Sequence, residues 1–233
     1  MDLTAYAKAK PLETLYEHTV SLLENLNQLE VLYREEIEKV TPCEFRSEIW
    51  NYAYKLCKYH DFGKIHSHFQ LTIRQKSDKI FFTKEITYLK QRTRNLPEIS
   101  HNLLSPAFLY PEIKHLDKEI KALLIQSIAY HHYQQKLKEL LRKREIVSIL
   151  QAVFRKDIEP NIKMLTDFGM VRFSLNYIKF LNTPIRHNLK KLYILLKGIL
   201  HRLDHSASAH LPVEEERIKE TEKKLIAYLN TKD

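Results

Sequence analysis

Glycine is scarce in this sequence: Gly63, Gly169 and Gly198 are the only three in 233 residues, about a fifth of ordinary usage. A phosphate-cradling GxxxxGK[ST] loop or a GxGxxG turn needs closely spaced glycines. ATPase and dinucleotide-binding fingerprints are therefore excluded. Cysteine is as sparse, with Cys43 and Cys57 alone, which speaks against a secreted disulfide scaffold and for free thiols in a reducing cytoplasm. Long apolar runs are missing too. The longest stretch without Asp, Glu, Lys or Arg is Ala122–Gln135, too short to cross a bilayer as a helix. The opening MDLTAYAKAK has no apolar core of a secretory signal. The expected location is the cytoplasm, with no membrane segment.

What is present is an ordinary globular composition, 44% hydrophobic and 29% charged. The net charge of +9 is uneven. Residues 1–50 hold 5 basic and 10 acidic side chains, whereas 71–100 hold 7 against 3 and 136–156 hold 7 against 2. Basic surface of this kind suits a polyanionic partner, through Coulomb steering and counterion release.

Hydrophobic periodicity is helical almost throughout. Leu12, Leu15, Thr19, Leu22, Leu26 and Leu29 step by three and four, as one helix face requires. Ile49, Ala53, Leu56 and His60 repeat the pattern after Pro42, with Ser47 as the expected cap. Asp117 is placed to cap a helix carrying Ile120, Leu124 and Ile128, which runs into His131 and His132. Leu189 to Leu203 describe a further long helix, and 214–230 a last amphipathic one with acidic residues at its start. Strand signals are thin: only Lys79–Thr83 and Val171–Leu175 suit a small hairpin. The expectation is one all-α domain over 1–233, a helical bundle with room for a small β-hairpin.

Twelve histidines are many for this length, and their placement is informative. His18 lies between Leu15 and Leu22 on the first apolar stripe. His60 and Asp61 end the second helix in Lys58-Tyr59-His60-Asp61-Phe62-Gly63-Lys64. His101 opens His101-Asn102-Leu103-Leu104, the His131-His132 pair follows the third stripe, and Asp204 shares the inward side of the last core helix. Burying imidazoles and carboxylates repeatedly along inward faces is costly unless something satisfies them. A divalent metal does so, since imidazole nitrogen and carboxylate oxygen suit Mn, Mg, Fe, Ni, Co or Zn. His201 and His205, spaced i and i+4, form an alternative ligand pair. His66 and His68 are expected to face substrate or solvent.

The HDFGK segment resembles the defining motif of the HD phosphohydrolase superfamily, an all-helical metal-binding fold. The fuller series His18, His60-Asp61, Gly63-Lys64, His101, His131-His132, Asp204 and Ser208 resembles the HD nucleases of type I CRISPR interference over about residues 15–210; without helicase motifs it looks like the stand-alone form or an excised domain. The resemblance implies one or two divalent ions held by His18, His60, Asp61, His101, His131, His132 and Asp204. Asp61 would bridge, Lys64 would touch a phosphate or the charged transition state, and Ser208 would position a group near Asp204. It further implies cleavage of single-stranded DNA, with RNA as a second candidate. The implied partners are a separate helicase subunit and an RNA-guided surveillance complex. Arg74, Lys76, Lys84, Arg92 and Arg94, interleaved with Phe81, Phe82 and Tyr88, are the expected track for a single strand. Two other functions fit fewer of these features: a phosphohydrolase of small nucleotides, and a non-catalytic helical adaptor for nucleic acid or a helicase.

Overall fold

A computed structural model describes residues 2–132 and 145–211. The chain enters through a short antiparallel hairpin, β1 (Tyr6–Ala9) and β2 (Leu12–Thr14), with Tyr6 opposite Thr14 and Ala9 opposite Leu12. Thr14 then starts α1 (Leu15–Val40) as half of a capping box. Its Oγ1 accepts from the Glu17 N–H at 3.1 Å, and Glu17 Oε2 accepts from the Thr14 N–H at 2.9 Å. That exchange satisfies two of the helix's orphan donors.

Helix α2 (Ile49–Tyr59) buries Ile49, Ala53 and Leu56, the periodic positions of the sequence. Beyond the 3₁₀ turn Phe62–Ile65 come α3 (Ser67–Lys76), α4 (Thr83–Thr93), the short α5 (His101–Leu104) and α6 (Pro106–Ile113). Helix α7 (Lys118–Ala129) ends beside His131 and His132. Then α8 (Ile146–Val153) continues as irregular helix through Phe168, and α9 (Lys190–Ala209) closes the described chain.

The centre is a bundle in which α1, α2, α7 and α9 pack on one another. Leu22, Leu56, Leu124, Leu196 and Leu203 are wholly buried between them, each contributing about 1.5–3 kcal/mol of transfer free energy. No helix among the described residues is long and apolar enough to cross a membrane.

Three local expectations are corrected. Leu12 belongs to β2, so the first helix starts at Leu15. The hairpin is Tyr6–Thr14; Lys79–Phe82 is a turn leading into α4, and Val171–Ser174 has no ladder partner. The outer edge of β1 is held by a side chain instead of a third strand: Gln70 Nε2 donates to Tyr6 O at 2.9 Å, and Tyr6 N donates to Gln70 Oε1 at 3.1 Å. Helix α2 is preceded at its N-cap by Glu48, with no side-chain cap, and Ser47 lies in the turn before it. The expected helix at 214–230 and residues 136–144 of the second basic stretch lie outside the described residues.

Candidate metal centre

The site forms where other helix ends meet the N-terminal turn of α1. His18 is wholly buried on the inward face of α1, one turn from Leu15 and Leu22. His60 caps the C-terminus of α2, and Asp61 follows in the turn that breaks the helix. His101 opens α5, His131 and His132 follow α7, and Asp204 lies on the buried side of α9. The seven side chains come from five places in the chain, so packing of the bundle brings the site together.

His18 Nε2 is 3.5 Å from Asp61 Oδ2 and 3.3 Å from Asp204 Oδ1. His60 Nε2 is 3.3 Å and 3.7 Å from the same two oxygens. These four residues bring one ligand atom each within 4.8 Å of one another, and all four are buried. This buried group could hold a metal ion. His101, His131 and His132 meet the same criterion as a second group. Asp61 faces both: Oδ2 looks to His18 and His60, while Oδ1 is 3.3 Å from His101 Nε2.

Hydrogen-bond accounting singles out this place. Among the described residues, the buried side-chain atoms without a hydrogen bond are both ring nitrogens of His18, both oxygens of Asp61, Nε2 of His60, His101 and His131, Glu13 Oε2 and Asn102 Nδ2. All but the last belong to this cluster, and of these Asp61 Oδ2 is met by the Lys64 ammonium. An unsatisfied buried polar atom costs about 1–3 kcal/mol, and a cation coordinated by those nitrogens and oxygens would remove most of that cost at once. The donor set of imidazole and carboxylate fits a divalent transition metal.

The ring orientations are fixed locally. His60 Nδ1 donates to the Cys57 carbonyl at 2.8 Å, and His131 Nδ1 to the Ile128 carbonyl at 2.6 Å. Both acceptors lie three residues back at a helix C-terminus, where carbonyls lack intrahelical donors. With Nδ1 turned to the carbonyl, Nε2 is the nitrogen that faces into the site.

Charge is balanced within the cluster. Burial works against ionising Asp61, but His60, Lys64 and His101 outweigh it and hold its pKa well below the usual range. Burial likewise opposes ionisation of Asp204, and His18 and His60 overcome it. The carboxylates in turn lift His60, against its own burial, to about 10, and raise His18 in the same way. His101, His131 and His132 are lowered, chiefly by burial. Those three rings stay neutral and keep a lone pair to offer.

Lys64 Nζ sits 2.5 Å from Asp61 Oδ2 and 3.4 Å from the Ala7 carbonyl, at the edge of the site. Ser208 lies one turn beyond Asp204, half-buried, and its carbonyl accepts from Lys8 Nζ. The pair His201 and His205 joins neither group: His201 Nε2 is engaged by the His131 carbonyl, and His205 is exposed.

Three expectations fail in the surroundings. His66 faces neither substrate nor solvent. It is wholly buried, with Nδ1 2.5 Å from Asp157 Oδ2 and Nε2 3.2 Å from the Pro97 carbonyl. His68 is half-buried against the Leu96 carbonyl at 2.8 Å. Arg74 is equally withdrawn: its guanidinium donates to Thr4 O at 2.8 Å and Gln70 Oε1 at 2.7 Å, and it pairs with Glu85. Phe82 is buried beside it and Arg92 is tied to Asp157, so the expected strand track keeps only Lys76, Lys84, Arg94 and the exposed Phe81 fully at the surface, with Tyr88 half-buried.

Asp157 is a residue the sequence did not single out, and Glu13, buried against His18, is another. Comparison with family profiles, curated proteins and solved structures finds no significant match to this chain.

Proposed function

We propose that this chain is a divalent-metal-dependent nuclease that hydrolyses phosphodiester bonds of single-stranded DNA, with RNA as a second substrate. One observation carries the reading: Asp61 turns one oxygen to each of two ligand groups, the arrangement a shared carboxylate needs to hold two ions about 3.5–4 Å apart. Bound divalent ions supply a nucleophile at neutral pH and positive charge for the phosphate oxygens. The candidate ions are Mn, Mg, Fe, Ni, Co and Zn.

The chain's own residues do the rest. His18, His60, Asp61 and Asp204 hold one position, and His101, His131 and His132 complete the other with Asp61. Lys64 brings a fixed charge to the rim, where negative charge grows on the phosphate in the transition state. Ser208 orients a group beside Asp204. Lys76, Lys79, Lys84 and Arg94 are exposed, as is the ring of Phe81, which suits phosphate contact and base stacking along a single strand. A site walled by several helices admits a flexible strand, while a stiff duplex must first be opened. A duplex would thus need a separate helicase, and the resemblance to the HD nucleases of type I CRISPR interference adds an RNA-guided surveillance complex and a cytoplasmic setting to the proposal.

The test compares circular single-stranded DNA, linear duplex DNA, nucleoside triphosphates and cyclic nucleotides under Mn²⁺ without ATP as an energy source. Cleavage of the single strand alone is expected. Rapid hydrolysis of the small nucleotides with intact single-stranded DNA would favour a phosphohydrolase instead. Binding of the strand with no hydrolysis under any metal would favour an adaptor.

A further inference from the structure

His18 differs from the other candidate ligands in how its ring is held. His60 and His131 each donate Nδ1–H to a carbonyl three residues back, freed by the end of a helix. His18 lies inside α1, where each backbone carbonyl is already committed to the helical ladder. Its Nδ1 must find an acceptor elsewhere. The group facing it is Glu13 Oε2, at 3.6 Å, carried by β2 of the hairpin.

Both atoms are buried and neither has a hydrogen-bond partner. Glu13 itself is only 6% exposed, and a carboxylate is not withdrawn from water without a counterpart. A shift of roughly half an ångström brings the pair within hydrogen-bond length. The same Oε2 also faces Lys8 Nζ at 3.5 Å, and Lys8 donates to the Ser208 carbonyl. The hairpin thus links the last turn of α9, just past Asp204, to the back of His18.

We infer that Glu13 is a positioning residue for the metal centre: it accepts the Nδ1–H of His18, fixes the tautomer that turns Nε2 inward, and strengthens that nitrogen as a donor. This inference rests on the metal-site reading above. Outer partners of this kind typically change metal affinity about 10- to 100-fold when removed. It also assigns a role to the hairpin, which brings a carboxylate to a histidine that its own helix cannot orient.

The experiment measures Mn²⁺ affinity of the full chain by chelator competition for the wild type, Glu13→Ala, Glu13→Gln and His60→Ala, with Co²⁺ absorption spectra and the thermal midpoint of each metal-free protein. Glu13→Ala should bind about 10- to 100-fold more weakly with an altered Co²⁺ spectrum. Glu13→Gln, which keeps an acceptor oxygen but not the charge, should fall between it and the wild type. Should the alanine variant fail to fold, the glutamine variant decides the matter. Affinity within twofold of wild type in Glu13→Ala, or in Glu13→Gln where the alanine variant does not fold, overturns the inference, as does a drop in the metal-free midpoint with unchanged affinity and spectrum. A wild type that binds no better than His60→Ala would instead bring down the metal-site reading itself.

Discussion

The backbone N–H of Gly63 donates to Ser105 Oγ at 2.9 Å, and the contact around that bond is too close for any side chain. A Cβ at position 63 would lie 2.4 Å from the His101 carbonyl oxygen and 2.8 Å from both Leu104 Cβ and the Ser105 nitrogen. Two of those neighbours are backbone atoms, which cannot swing away. The glycine of HDFGK thus lets the turn carrying Asp61 lie directly on the start of α5, which carries His101.

Gly63→Ala should therefore cost about 1–3 kcal/mol by overpacking and, because the displaced atom belongs to His101, weaken metal binding as well. Urea unfolding and Mn²⁺ titration of the same variant check both parts. A variant that lost stability but bound Mn²⁺ as tightly as wild type would separate the turn from the site.

Asp157 should be a keystone of stability outside the metal centre. Its carboxylate accepts from His66 Nδ1 at 2.5 Å, the Ser67 N–H at 2.8 Å, Ser67 Oγ at 2.5 Å and Arg92 Nε at 2.9 Å. Asp157→Ala leaves His66 Nδ1 and the Ser67 N–H buried without a partner and unpairs Arg92, and a loss of about 3–5 kcal/mol is expected. Arg92→Ala should cost less, since that side chain is 21% exposed and water can replace part of what it loses. Chemical denaturation of the two variants side by side gives the ordering.

The same carboxylate sets an acid limit. Burial raises its pKa, but the bonds from His66 and Ser67 prevail and bring it down to about 2. A carboxylate whose folded pKa is depressed stabilises the fold fully above its unfolded value of about 4 and loses that contribution as pH falls through the folded value. The stability gap between wild type and Asp157→Asn should shrink by roughly 2 kcal/mol from pH 5 to pH 2. A gap that stayed constant over that window would contradict the assignment.

The apolar stripes of α1, α2, α7 and α9 were readable because Leu22, Leu56, Leu124 and Leu196 repeat at the helical period, and burial follows that period. The candidate ligands were readable for the same reason, as polar residues standing on or just after those stripes. The hairpin was not. Its edge is completed by Gln70, whose role depends on tertiary placement and leaves no local pattern. Thr14 and Glu17 do carry a capping signature, which marks the true start of α1. Arg74 looked like surface charge, since nothing nearby in sequence shows that Tyr6, Gln70 and Thr4 wrap it. His66 and Asp157 meet from distant segments, and a pair of that kind has no signature in spacing.

The division of labour inside the metal centre gives the last prediction. Asp61 belongs to the first ligand group and turns Oδ1 toward His101 of the second, while His132 belongs to the second alone and is its most exposed member, with 39% of its side chain open. Lys64 touches Asp61 but offers no ligand to either group. Removing these side chains should have three different effects on metal stoichiometry, each readable before any substrate is added. Wild type should bind two Mn²⁺ ions, His132→Ala one tightly, and Asp61→Ala neither tightly, because both positions lose an oxygen. Lys64→Met should keep both ions, since it removes charge and not a ligand, yet slow cleavage of single-stranded DNA by about 10²–10³, the usual cost of one electrostatic stabiliser. Isothermal titration gives the counts and single-turnover cleavage gives the rate. Loss of metal in Lys64→Met equal to that in Asp61→Ala would mean that the lysine builds the site instead of acting at its rim, and two tight ions in Asp61→Ala would remove the bridge on which the proposed mechanism stands.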